Sequence, residues 1–348
     1  MAASTTVGPY GGGRAGIARS VVLLVRSCSV RFTAYYWVGF TAGLLAGGGS
    51  ALPWVLLGAP MWLALCVGTE SVNRIADREA DVVNQPERTR LCEEFGWARL
   101  TGVAIGSWTC FALFGAALLW TSPSVVLAVL LVADMAIAIG YSVGPALKRH
   151  RVLSLATLIT PVVMPVLTGW AVEGDTGVLL SPVLPVAAVL AAFTLGLSGI
   201  KDITDVEGDR ALGYSSLWML LARLRRGAAV YLLTAAPHLL VVVFVLTGTL
   251  PPTALALLPL AVVSVLVVKA AARARVPADR AAAREVMHQF TFYFLAFALA
   301  AAAPRPAVAA VAAAAVAYWL VASRFLHWSG GLKKDQLVRW RHLLTATS

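Results

Sequence analysis

Charged side chains leave long gaps along this chain. None occurs from Phe32 to Thr69, Leu100 to Ala133, Val152 to Val172, Thr176 to Ile200, Gly227 to Val268, Val286 to Pro304, or Pro306 to Ser323. About 20 mostly apolar residues suffice for a helix to cross a bilayer. The two longest gaps each hold two such runs, divided by Gly47-Gly48-Gly49-Ser50 and by Pro251-Pro252, clusters that mark turns. The pattern predicts helices near 32–48, 52–74, 100–120, 124–143, 152–172, 182–201, 228–248 and 253–270. Two more, near 286–303 and 306–322, are parted by Pro304-Arg305-Pro306.

Composition agrees. Hydrophobic residues make up 59% of the chain and charged ones 13%, against about 25% charged in soluble domains. The expected fold is therefore all-α: a polytopic transmembrane bundle. Basic segments at 14–31, 74–99, 148–151, 201–226 and 269–284 alternate with neutral or acidic turns. Lys and Arg collect on the cytoplasmic side, so the N terminus and every basic loop are expected there. The tail carries Arg324, Lys333, Lys334, Arg339 and Arg341 against Asp335, which favours a tenth span returning it to the same side. The expected organisation is a flexible arm over 1–30, a membrane domain over 31–323 and a basic cytoplasmic tail over 324–348. The net charge of +11 suits anionic lipid headgroups. It is divided among loops, which argues against a nucleic-acid partner. The four cysteines lack CxxC spacing, and the five histidines form no HxxxH pair. Neither a disulfide framework nor a zinc site is indicated, and the histidines read as loop or interface residues.

The chemistry lies in the acids. Of nine Asp residues, five fall in two short segments. Asn73-Arg-Ile-Ala-Asp77-Arg-Glu-Ala-Asp81 follows the second span, and Lys201-Asp202-Ile-Thr-Asp205-Val-Glu-Gly-Asp209-Arg210 follows the sixth. Residues three or four apart share a helix face. Asn73, Asp77 and Asp81 thus form one stripe, and Asp202, Asp205 and Asp209 another, if each helix continues into its loop. Stacked carboxylates repel, and a cation is expected to offset them. Mg²⁺ is a hard cation, usually held by one or two carboxylates plus substrate phosphates, so the stripes could hold Mg²⁺ around a diphosphate. Two further acids, Glu70 and Asp134, lie within spans, where an ionisable residue is a functional candidate by default. Glu70 shares the stripe of Asn73 and Asp77. Asp134 lies two turns before Tyr141 on one face of the fourth helix. Either could orient an acceptor or take up a proton.

These motifs resemble the UbiA-type intramembrane prenyltransferases over about residues 31–250. The pattern NxxxDxxxD after the second span pairs with DxxDxxxD after the sixth. Asp77-Arg-Glu-Ala-Asp81-Val-Val-Asn84-Gln-Pro86-Glu-Arg88 and the second segment are similar to the homogentisate-prenyltransferase and chlorophyll-synthase branch. Tyr141-Ser142-Val-Gly-Pro145-Ala-Leu-Lys148-Arg149 resembles the family's tyrosine–proline–lysine segment. The resemblance implies nine helices around a central cavity. It also implies Mg²⁺-dependent transfer of an isoprenoid chain from its diphosphate to an acceptor, often aromatic. Asn73, Asp77, Asp81, Asp202, Asp205 and Asp209 would hold the metal–diphosphate. Tyr141 and Lys148 would contact the diphosphate, with Lys201, Arg88 and Arg210 as further candidates. The chain departs from the family in Arg74, where an acid or amide is common, in a single proline in the fourth-span segment, and in ten expected helices rather than nine. Ionising a prenyl diphosphate yields an allylic cation, which needs a dry cavity and is attracted to aromatic faces. Tyr35, Tyr36, Trp37, Phe40, Phe290, Phe292, Tyr293 and Phe294 are the candidates. A terpene cyclase of the same fold would use the same metal motifs without an acceptor. A transporter also places acids at membrane depth but tends to carry inverted repeats and interrupted helices; no inverted repeat is evident.

Overall fold

In the computed structural model, residues 16–49, 52–173, 183–211, 218–219 and 228–345 are described. The first 15 residues, expected as part of a flexible arm, the Gly174-Asp175 turn and half of the 201–226 loop lie outside them. So does the Ser50–Ala51 part of the first turn.

Every charge-free run forms a helix. In chain order the elements are α1 (Ile17–Ser27), α2 (Thr33–Ala46), α3 (Leu52–Ala76), α4 (Arg78–Asn84), α5 (Pro86–Phe95), α6 (Trp97–Thr121), α7 (Val125–Gly140) and α8 (Arg151–Glu173). There follow α9 (Leu184–Ser198), α10 (Val206–Ala211), α11 (Ala228–Leu246), α12 (Leu260–Arg273), α13 (Pro277–Ala302), α14 (Pro306–Val321) and α15 (Lys334–Thr345). No strand occurs among the described residues. Seven of these segments are long and apolar enough to span a membrane unaided. The other three of the ten expected, α2, α7 and α11, are shorter. The expected tenth helix is present as α14.

The largest boundary difference is at α13, which begins at Pro277 rather than near 286. Its first turns carry Arg280, Arg284 and Glu285, which a hydropathy pattern reads as loop. Each finds a partner: Glu207, Thr204 and Arg31 respectively. The Arg31 guanidinium donates to the Glu285 carboxylate at 2.7 and 3.0 Å, with both groups buried. Gln289 Nε2 also donates to Glu285, and Trp319 Nε1 donates to Gln289 Oε1. Arg31, expected in the basic arm, is thus a clamp between the start of α2 and α13.

The most extensive helix contact is between α2 and α8. A Cβ at Gly43 would land on the Val166 carbonyl oxygen, and one at Gly169 on that of Phe40. The two backbones therefore touch, as small residues permit at membrane helix crossings. Around this seam α3 packs on α6, α9 on α8 and α11, and α14 on α2.

The helix ends segregate. α1 packs on α5, α10 on α4, and α15 on α12 and α13. With the Asp segments, these occupy one end of the bundle. At the other end, Arg305 Nη1 donates to the Leu45 carbonyl at 2.7 Å, setting the Pro304–Pro306 turn beside the end of α2. The arm expected to be flexible therefore includes a packed helix, α1, and the basic tail another, α15, at the same end.

Candidate active site

The helix carrying the first segment breaks at its central acid. α3 ends at Ala76, and Asp77 precedes α4 with φ −99° and ψ 9°. The hydrogen-bond ladder runs through the break, from Asp77 N to Asn73 O and from Asp81 N to Asp77 O. Asn73, Asp77 and Asp81 consequently stay on one side, and all three line a cavity of about 850 Å³. The expected loop at 74–99 is instead a hairpin of α4 and α5.

Each group of the first stripe already has a polar partner. Lys148 Nζ donates to Asn73 Oδ1 at 2.7 Å and to Asp77 Oδ1 at 2.5 Å. Ser142 Oγ donates to Asn73 Oδ1 at 3.0 Å. Arg88 Nη2 reaches both Asp81 oxygens at 2.7 Å, and Arg74 Nη1 lies 3.5 Å from Asp81 Oδ2. Arg74 also pairs with Glu70 at 2.8 Å. The departure at Arg74 thus supplies a cation shared by two cavity acids. The cations expected to offset the first stripe thus include three of the chain's own, Lys148, Arg74 and Arg88.

The second segment leaves α9 as a 3₁₀ turn over Gly199–Thr204, then α10. Side chains three apart eclipse in a 3₁₀ helix, and Asp202 and Asp205 both line the cavity. Thr204 Oγ1 and Gln85 Nε2 donate to Asp205 Oδ1 at 2.9 and 3.2 Å. Asn84 Nδ2 donates to its carbonyl at 3.2 Å. The α4–α5 hairpin is thereby tied to the second segment. Lys201 Nζ donates to Tyr141 Oη at 3.0 Å, and both line the cavity. The Asp209 side chain lies outside the description. Arg210 is exposed and is not brought to the cavity wall.

Burial and neighbouring charge tune these groups. Burial pushes the Lys148 ammonium below its usual range, while Asp77 pulls the other way. Burial, with Arg74 nearby, brings Arg88 down to about 10 against the pull of Asp81. Burial would raise the Asp205 carboxyl, but Arg284 and Arg88 hold it below the usual carboxylate range. Among the described residues, no three His, Cys, Asp or Glu side chains converge as a closed metal cage. The donors present are carboxylate and amide oxygens, which suit Mg²⁺ completed by substrate phosphates.

Away from the charged mouth, the cavity runs between Tyr36, Leu65, Cys66, Ile137, Leu158 and Val162. Asp134 lies in this part, 1% exposed. Thr168 Oγ1 donates to its Oδ2 at 3.2 Å, and its Oδ1 has no partner among the described residues. Of the eight candidate aromatics, Tyr35 and Tyr36 line the cavity. The others pack elsewhere: Phe292 stacks on Trp319 with centroids 4.6 Å apart, and Phe294 on Phe193 at 3.5 Å. Several wall residues escaped the sequence reading, among them Gln85, Arg284, His288, His327 and Trp328. Gln85 lies within the quoted motif. The others carried no spacing signal.

A charged mouth with two acidic segments, above an apolar chamber among membrane helices, defines a polytopic membrane protein built for an amphipathic ligand. The chain belongs to the UbiA prenyltransferase family, whose profile matches residues 35–289. It is similar in fold to a digeranylgeranylglyceryl phosphate synthase, with 14% identity, a TM-score of 0.56, and coverage of 86% of this chain and 99% of the other. A UbiA homolog from Archaeoglobus fulgidus bound to GPP and Mg²⁺ matches with 17% identity, a TM-score of 0.56, and coverage of 80% and 99%. A structure of a UbiA homolog from the same organism bound to DMAPP and Mg²⁺ gives 15%, 0.53, and 86% and 97%. Among curated proteins, none matches this sequence.

Proposed function

We propose that this chain transfers a prenyl group from an isoprenoid diphosphate to an acceptor within the membrane, with Mg²⁺ as cofactor. The observation that carries this reading is one cavity joining both Asp segments, Lys148 and Lys201 to an apolar chamber. The diphosphate would sit at the mouth and the hydrocarbon chain among Tyr36, Leu65 and Leu158. Family membership and the ligands named for the Archaeoglobus structures support the same assignment.

Asn73, Asp77, Asp81, Asp202, Asp205 and Asp209 are the oxygen donors that would hold Mg²⁺. The metal would neutralise phosphate oxygens and the charge gathering on the departing diphosphate. The cations now on the carboxylates have a second task. With those carboxylates holding the metal, Lys148 and Arg88 would be free to meet phosphate oxygens in place of their present partners. Arg is suited to such planar contacts, and Lys acts as a point charge. Lys201 and Tyr141 add two more donors beside the leaving group. The C1–O bond then breaks, diphosphate keeps the electron pair, and the acceptor's carbon or heteroatom attacks C1 and gives up its proton, with Asp134 in the chamber wall as the base. Tyr35 and Tyr36 present aromatic faces to the allylic cation. Resemblance to the homogentisate-prenyltransferase branch favours an aromatic acceptor. We place the mouth and both chain ends on the cytoplasmic side, from the distribution of Lys and Arg.

The test is incubation of the purified protein with geranyl, farnesyl and geranylgeranyl diphosphates, with and without phenolic acceptors. Prenylated acceptor plus pyrophosphate supports the reading. A cyclic hydrocarbon formed equally well without acceptor would make the protein a terpene cyclase instead.

A further inference from the structure

Four residues of the cavity wall come from the chain's last segment: His327, Trp328, Ser329 and Gln336. This segment lies beyond the residues that the family profile matches. It is built rather than loose. α14 passes into a π turn over Ala322–Leu326, and the chain reverses at Gly330 and Gly331, with φ of 73° and 70°. A Cβ on Gly331 would lie 3.0 Å from the Ser323 carbonyl oxygen, so the returning chain runs against the helix it has just left. His327 Nδ1 and Ser329 Oγ are 2.7 Å apart, and Gly330 N donates to the His327 carbonyl. Beyond the turn, α15 is pinned by Arg273 Nη1, which donates to the carbonyls of Leu343 and Leu344 at 2.9 and 3.1 Å.

Between these anchors, Trp328 faces the mouth. Its ring centroid is 5.8 Å from the Arg88 guanidinium carbon, and Arg88 holds Asp81. Its carbonyl accepts from Arg26 Nη2 at 3.4 Å. The α4–α5 hairpin and the second Asp segment bound the mouth on other sides through Gln85 and Asp205. The start of α13 bounds it through Arg284, which donates to Thr204 at 3.0 Å. The segment from His327 to Gln336 reaches α5 through Trp328 on Arg88, and it runs into α15, which packs on α13.

We infer that the strap from His327 to Gln336 is the water seal of the cavity, with Trp328 deciding whether the prenyl cation meets an acceptor or water. The inference rests on the proposed prenyl transfer. The reaction suppressed is hydrolysis. The C1–O bond breaks, diphosphate leaves with the electron pair, water adds to C1 and loses a proton to solvent, and a prenyl alcohol results. Indole suits the position, because its broad apolar face blocks the opening while its cation-facing side rests on Arg88. An aliphatic side chain would lose that second contact.

The experiment compares wild type, Trp328→Ala and Trp328→Phe. With geranyl diphosphate, Mg²⁺ and no acceptor, Trp328→Ala should release pyrophosphate and geraniol about tenfold faster, because exclusion of water from the reacting carbon is lost. Trp328→Phe should recover most of the suppression. Cys66 supplies a reading that needs no substrate, since its thiol is buried and lines the chamber. Its labelling by a charged methanethiosulfonate, followed by peptide mass spectrometry, should be faster in Trp328→Ala than in wild type or Trp328→Phe. Equal Cys66 labelling in all three proteins overturns the seal. So does unchanged hydrolysis in a preparation that consumes geranyl diphosphate. If wild type transfers no prenyl group from any diphosphate tested, the proposed function fails, and Cys66 labelling alone then decides the seal.

Discussion

Lys148 Nζ lies 2.5 Å from Asp77 Oδ1, a contact that joins the turn after α7 to the break after α3. Of the contacts made by the first stripe, this one links it to the tyrosine–lysine segment by a salt bridge. Burial lowers the Lys148 ammonium from its ordinary range of about 10.5, and Asp77 resists. Deprotonation removes the charge that a diphosphate would meet. Activity should therefore fall on the alkaline side as pH rises through this lowered pKa. A profile of kcat/KM against pH checks it. Lys148→Arg keeps the charge and should move the alkaline limb upward, at reduced activity. A limb unchanged by that substitution would assign the titration elsewhere. Lys148→Met should lose roughly 100-fold or more in kcat, the scale of losing a charge-stabilising donor.

Chelation should abolish turnover, and added Mg²⁺ should restore it. The protein should remain folded throughout, because Lys148, Arg74 and Arg88 balance the first stripe without metal. Circular dichroism and melting curves with and without chelator check the second half. Unfolding on chelation would mean that these ion pairs do not hold the site.

Asp77→Ala and Asp202→Ala should each eliminate measurable transfer while leaving insertion intact. Glu207→Ala should stay within about threefold, since its side chain is 61% exposed in the pair with Arg280 and solvent-screened pairs contribute about 0–1 kcal/mol. Parallel assays on detergent-purified variants decide it. A Glu207 variant as damaged as an Asp205 variant would place the catalytic stripe on another face.

Asp134→Asn preserves shape and removes the base. With Oδ1 unpartnered beside the chamber, the residue is suited to act on the acceptor. Affinity for prenyl diphosphate should be near normal, and product formation should be lost. Should the residue only brace Thr168, melting temperature will fall instead and turnover per folded molecule will hold. Binding, turnover and melting on one preparation separate these outcomes.

A reporter fused after Ser348 should read cytoplasmic, and one inserted at Pro304 should read external. A cytoplasmic signal at Pro304 would invert or remove α13 as a span.

Much of this architecture was legible in the charge gaps, because a bilayer tolerates few charges along a lipid-facing helix. Charge gaps mislead where a helix turns its charges inward. The first turns of α13 read as loop, since hydropathy does not distinguish Arg284 facing a polar cavity from Arg284 in water. The two Asp segments were visible because oxygen donors at helical spacing are distinctive. Their resting partners were not. Arg88, expected on a diphosphate, sits on Asp81, and which of several nearby acids an arginine meets depends on how the α4–α5 hairpin folds back. Trp328 and His327 carried no signal at all, because their role comes from a reversal of the chain at two glycines.

The backbone contact between α2 and α8 carries one more consequence, for substrate scope. Tyr36 stands on one of these helices and Leu158 on the other, and both face the chamber. Their spacing is fixed by Gly43 against Val166 and Gly169 against Phe40, with no side chain to trade for a larger or smaller one. Variants selected for a longer or bulkier hydrocarbon will therefore gather on α3, α7 and α13, at positions such as Leu65, Ile137 and Met287. Replacements at the two glycines will be rejected before specificity is reached.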